Sequence, residues 1–82
     1  QVAIEVTLLL DEVWVYIDNL PDMQRRVVGC RVLDGLSVKE TAEFLGRSPG
    51  TVKATLSHAL SKVKAEFGQS VFDALNQVTG AS

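Results

Sequence analysis

A chain of 82 residues with 46 % apolar content suits one domain with a modest core, and is too apolar for a disordered chain. One cysteine, Cys30, excludes an internal disulfide and suits a reducing cytosol, so a cytoplasmic location is expected. No stretch approaches the ~18 unbroken apolar residues of a membrane helix, and the N-terminus has no basic, apolar and cleavage-site succession.

Five helical segments and no strand are predicted, an all-α domain of four to five helices. Val2–Leu10 is rich in β-branched residues and reads least clearly. From Val6 the apolar positions Val6, Leu9, Leu10, Val13, Trp14, Ile17 and Leu20 form a helical stripe. Leu8, Val15 and Tyr16 fall off it, which leaves apolar surface open to a protein contact. Pro21 suits the first turn of a second helix, Pro21–Leu33, with Asp22 complementing its positive end and Gly35 as a left-handed C-cap. Cys30 reads as a core residue of this helix among Val27, Val28 and Leu33, and Trp14 as core too. Ser37 to Glu40 is a capping box that starts a short third helix ending at Leu45. Gly46 stops it. Ser48 is then an N-cap with Pro49 in the first helical position, opening a fourth helix to Phe67. A fifth runs Ser70–Val78 with Val71, Phe72, Leu75 and Val78 on one face, closed by Gly80. Arg31 and Glu40 are expected to form a helix-bridging ion pair.

Only Gly46-Arg47-Ser48 separates the third and fourth helices, which is helix-turn-helix spacing. Ala42 fits the crossing point, where a larger side chain would overpack. On the fourth helix Val52, Leu56, Ala59, Leu60, Val63 and Phe67 form one side. Ala54, Ser57, His58 and Ser61 form the other, flanked by Lys53 and Lys64. Short polar side chains beside cations suit a major groove. The face of an ordinary helical hairpin in a bundle accounts for the periodicity equally well. Charge distribution adds to the first reading. The formal charge is −2, which over the whole chain disfavours nucleic acid. Yet residues 47–65 hold four cations, His58 and no acid, while the other 63 residues hold ten acids and four bases. His58 reads as an exposed polar residue rather than a charge switch.

Leu20-Pro21 with Gln24-Arg25, Gly35-Leu36-Ser37, Glu40-Thr41-Ala42, Leu45-Gly46 and Ser48-Pro49-Gly50-Thr51-Val52-Lys53 together resemble region 4 of sigma factors of the extracytoplasmic-function group. The resemblance covers about Val13–Val63 and treats residues 1–82 as one domain with an extra C-terminal helix at about 70–78. The chain starts on Gln1, and a fragment of a longer protein is expected. The resemblance implies that the domain recognises the −35 element of double-stranded promoter DNA and binds the β-subunit flap of RNA polymerase core. Anti-sigma factors or other regulators are the further partners it implies. Lys53, Ala54, Ser57 and His58 match the family's base-facing positions. Ser48, Gly50, Thr51 and Thr55 match positions near the DNA backbone. Arg47, Lys39, Lys62 and Lys64 are added as phosphate contacts on charge and placement.

Two departures from the family pattern matter. Arginines usual after the Thr-Val-Lys are replaced here by Thr55, His58 and Leu60. One bidentate arginine contact is worth ~1–3 kcal/mol of base discrimination, so weak DNA binding by the isolated domain is expected. The fifth helix is the other departure, either a cap on the small core or a docking element for a regulator. Two competing functions share the fold: a sigma-like protein-interaction module with little DNA binding, and a response-regulator output domain. The latter family shares Gly-Leu-Ser, the alanine and Thr-Val-Lys but lacks the Leu-Pro and Gln-Arg entry. No enzyme, cofactor or metal site is expected, since His58 has no carboxylate or nucleophile partner in spacing and no ligand cluster or phosphate loop appears.

Overall fold

The computed structural model describes residues 11–79. The readings that fall on Val2–Leu10 and Gly80 lie outside them. Among the described residues every regular element is helical.

Helix α1 covers residues 11–18. Val13, Ile17 and Leu20 recur at helical spacing and are all buried, with Trp14 packed partly buried against them. Val15 points outward, as the stripe requires. The Asn19 amide donates to the Val15 carbonyl (2.8 Å), which satisfies one orphaned acceptor at the helix end.

Pro21 occupies the N-cap of α2 (Asp22–Val28) in extended geometry, one position earlier than the sequence suggests. Asp22 pairs with Arg25 and, at 2.9 Å, with Arg26, both on the surface. The predicted single helix to Leu33 is corrected here. Its second half, Gly29–Leu33, is a π turn in which the Asp34 N–H reaches back to the Gly29 carbonyl (3.1 Å). Gly35 follows at φ +68°, a left-handed conformation that glycine adopts without a side-chain clash. Val27, Val28 and Arg31 share one side of this segment by their spacing of three and four, and all are buried. Leu33 lies off that side and is 68 % exposed, contrary to its expected place beside Cys30. Cys30 itself is buried.

Arg31 is only 4 % exposed. Its guanidinium donates to the Leu36 carbonyl (2.6 Å) and to the Thr79 carbonyl, so it joins the π turn, the loop after it and the end of the last helix. The expected ion pair with Glu40 does not form. Glu40 is turned back on its own helix start, where its carboxylate accepts the Ser37 N–H (2.9 Å) and the Ser37 hydroxyl accepts the Glu40 N–H (3.0 Å). That reciprocal pair opens α3 (Val38–Leu45).

Helix α4 (Pro49–Phe67) is the central element and packs on α2, α3 and α5 (Gln69–Thr79). One apolar cluster gathers Val13, Ile17, Leu20, Val28, Ala59, Leu60, Val63, Val71 and Leu75. A second joins Val27, Ala42 and Val52 under α3, and Leu56 packs against both. Tyr16 and Phe67 meet edge to face at 5.5 Å. The inward face of α5 is Val71, Leu75 and Thr79, a four-residue spacing. Val78, expected on that face, is 57 % exposed for the same reason.

Candidate nucleic-acid interface

The turn between α3 and α4 is fixed by three local devices. Gly46 takes a left-handed conformation (φ +67°), which lets the Arg47 N–H close on the Ala42 carbonyl (2.9 Å). The Ser48 hydroxyl then accepts the Thr51 N–H (3.1 Å), and Pro49 starts α4 where its missing N–H costs nothing. Ala42 is buried against Val27 and Val52, so the small side chain at the crossing point sets how closely α3 and α4 approach. These features make a helix-turn-helix whose second helix is anchored by Val52, Ala59 and Val63 and free on its opposite side.

Lys53, Ala54, Ser57 and His58 all lie on exposed positions of the first three turns of α4. Ser61 continues that row and is exposed as well. Thr51 and Gly50 are exposed at the helix start. The Thr51 hydroxyl accepts a hydrogen bond from Ser48 (2.9 Å), so those two hydroxyls are already engaged with each other. Thr55 is half-buried, on the flank of the face rather than its centre. Arg47 stands exposed in the turn and Lys39 exposed on α3.

The two last cations separate. Lys62 and Lys64 are two residues apart and so point to opposite sides of α4. The Lys62 backbone carbonyl accepts the Tyr16 hydroxyl at 3.5 Å, which marks its flank as the α1 side. The Lys64 ammonium sits 5.1 Å from the centre of the Phe72 ring, on the α5 side. On that same side Lys53, Ser57 and Ser61 line a cleft of about 280 Å³ whose far wall is Phe72, Asn76 and Thr79 of α5. Sequence spacing did not reveal that α5 runs beside the free face of α4. Among the described residues, no group of three or more His, Cys, Asp or Glu is arranged to hold a metal. None of the described helices is long and apolar enough to cross a membrane.

Two ionisable groups near this unit are shifted. Hydrogen bonds from the Ser37 backbone N–H, and then from its side chain, hold the Glu40 carboxyl below its ordinary value. Burial raises the Cys30 thiol, and the Asp34 carboxylate adds to that rise.

The family model described as "Sigma-70, region 4" matches residues 10–63, from the start of the described α1 into α4. The chain belongs to the sigma-70 region 4 family. Among the relatives of this region 4 chain is the ECF RNA polymerase sigma factor ShbA of Streptomyces griseus, 45 % identical over 47 residues. That match covers 57 % of the chain and 25 % of the relative. The RNA polymerase sigma-E factor of Streptomyces antibioticus is 42 % identical over 67 residues, 82 % of the chain and 35 % of the relative. That of Streptomyces avermitilis is 44 % identical over 55 residues, 67 % of the chain and 31 % of the relative. The chain therefore spans between a quarter and about a third of the length of these relatives. No solved structure matches at comparable significance. Helix α5 begins at Gln69, beyond the matched segment.

Proposed function

We propose that this region 4 recognises the −35 promoter element through α4 and binds RNA polymerase core, by the flap of its β subunit, to direct transcription initiation. One observation carries the reading: within a sigma-family helix-turn-helix, the first three turns of α4 present Lys53, Ala54, Ser57 and His58 outward on the side away from the core. Short side chains there permit close approach to base edges, and the helix start favours phosphate. Ser48, Gly50, Thr51 and Thr55 approach the DNA backbone. Arg47, Lys39 and Lys62 contact phosphates, with Lys64 on the α5 flank. The relatives, all RNA polymerase sigma factors, support the assignment. Such a function belongs in the cytoplasm and involves no catalysis by this region.

A protein contact is favoured by a separate observation. Phe44 on α3 is 74 % exposed, a large apolar side chain left in water on the helix-turn-helix itself. The polymerase flap is the partner we assign to Phe44, and an anti-sigma regulator would compete for it. Run-off transcription with core polymerase tests the whole reading. The protein carrying this region should give a promoter-dependent transcript that Lys53→Ala weakens. Core binding without any promoter-dependent transcript would instead make this a protein-interaction module.

A further inference from the structure

The cleft between α4 and α5 has a composition that the helix-turn-helix alone does not require. Its α4 wall includes Lys53, Ser57 and Ser61, and its α5 wall includes Asn76, all side chains that can donate hydrogen bonds. Leu56, Leu60 and Phe72 supply the apolar surface between them. No acid lines it. The one acid of α5, Asp73, accepts a hydrogen bond from Gln69 (2.8 Å) instead. The carboxyl end of a helix carries partial negative charge, and α5 ends at this cleft. Buried Arg31 donates to the Thr79 carbonyl there and offsets that charge. Lys64 adds a further cation at the Phe72 wall.

Donors and cations at a rim, apolar surface within and no acid in the lining match the chemistry of a nucleic-acid backbone. Phosphate oxygens accept from ammonium, hydroxyl and amide groups, while the deoxyribose face is largely apolar. We propose that the α4–α5 cleft seats the sugar–phosphate backbone of the DNA strand running beside α4, which makes α5 a second wall of the interface and Asn76 a DNA contact. This rests on the promoter-reading assignment above and extends it to a helix outside the family match. Lys53 and Ser57 then stand at the border between the base-facing row of α4 and this cleft, and Lys64 on the α5 flank gains a phosphate target. The contact is to the backbone, so it strengthens binding to all sequences alike.

Fluorescence anisotropy of the 82-residue chain with a labelled random-sequence duplex, titrated across salt concentrations, tests it. Asn76 and Gln77 are both exposed on α5, but only Asn76 lines the cleft. Asn76→Lys adds one phosphate contact, so the salt slope should steepen by about 0.9 and affinity rise up to about eightfold at 0.1 M salt. Asn76→Asp should lower affinity by a similar factor. Gln77→Lys adds the same net charge away from the cleft and should leave the slope unchanged. Equal effects of Asn76→Lys and Gln77→Lys would overturn the proposal, because α5 would then act only through net charge. Absence of duplex binding by the parent chain and every variant, with or without polymerase core, would sink the promoter-reading assignment itself, and this proposal with it.

Discussion

Replacing Arg31 by methionine keeps an apolar stem of similar length and removes the guanidinium. The Leu36 and Thr79 carbonyls then each lose the guanidinium as a donor. A hydrogen bond from a charged donor contributes about 1.5–3 kcal/mol, so the two together supply roughly 3–6 kcal/mol. Against this stands the Arg31 Nε, which is buried with no partner and costs about 1–3 kcal/mol. The balance is a net destabilisation of about 0–5 kcal/mol, centred on about 2.5 kcal/mol. For a domain of this size each kcal/mol lowers Tm by roughly 4–8 °C, so Arg31→Met should melt about 10–20 °C lower. Thermal unfolding followed by circular dichroism measures it. Arg31→Lys should recover only part of the loss, since one ammonium lacks the planar fork that reaches two carbonyls at once. The Thr79 end of α5 should lose hydrogen-exchange protection in Arg31→Met before the rest of the chain does. A variant as stable as the parent, with α5 still protected, would refute the view that this buried cation fastens the last helix.

Three further outcomes are expected. Ala42→Leu should overpack the α3–α4 crossing against Val27 and Val52 and cost about 1–3 kcal/mol in a urea melt. Glu40 has its folded-state pKa lowered, so its contribution is present above the unfolded-state value of ~4.3 and fades as pH falls through the lower folded value. Glu40→Gln should therefore flatten the stability profile across that acid range, as acid titrations of the melting temperature would register. The Cys30 thiol is buried with its pKa raised, so iodoacetamide at neutral pH should label it far more slowly in the folded chain than in urea.

Much of this architecture is written in local signals. Ser37 with Glu40, Gly46 and Ser48 with Pro49 each bond within a few residues, so their meaning survives without knowledge of the fold. The helix-turn-helix and its free face follow from those signals plus a simple period. The π turn after α2 could not be read this way, because its defining bond, from the Asp34 N–H to the Gly29 carbonyl, is a backbone contact with no side-chain signature. Arg31 was legible in part. It falls three and four residues after Val28 and Val27, on their buried side, but charge made a surface pair with Glu40 seem the natural partner. Its actual acceptors, carbonyls of Leu36 and Thr79, carry no side-chain signature. The course of α5 was hidden for a similar reason: Val71 and Leu75 identify a buried stripe but not the helix it packs on. Only the fold brings Asn76 to the same cleft as Lys53 and Ser57.

Leu56 sits at the seam between the two apolar clusters, one beneath the helix-turn-helix and one shared by α1, α2, α4 and α5. Loosening either half of α4 disturbs the packing of the other, because the Leu56 side chain contacts both clusters. Fraying of the middle turns of α4 is therefore coupled to loss of the whole domain rather than to a cheap local opening. The middle turns of the helix that faces outward with Ser57 and His58 should be among the last to open, their backbone amides exchanging at close to the free energy of global unfolding.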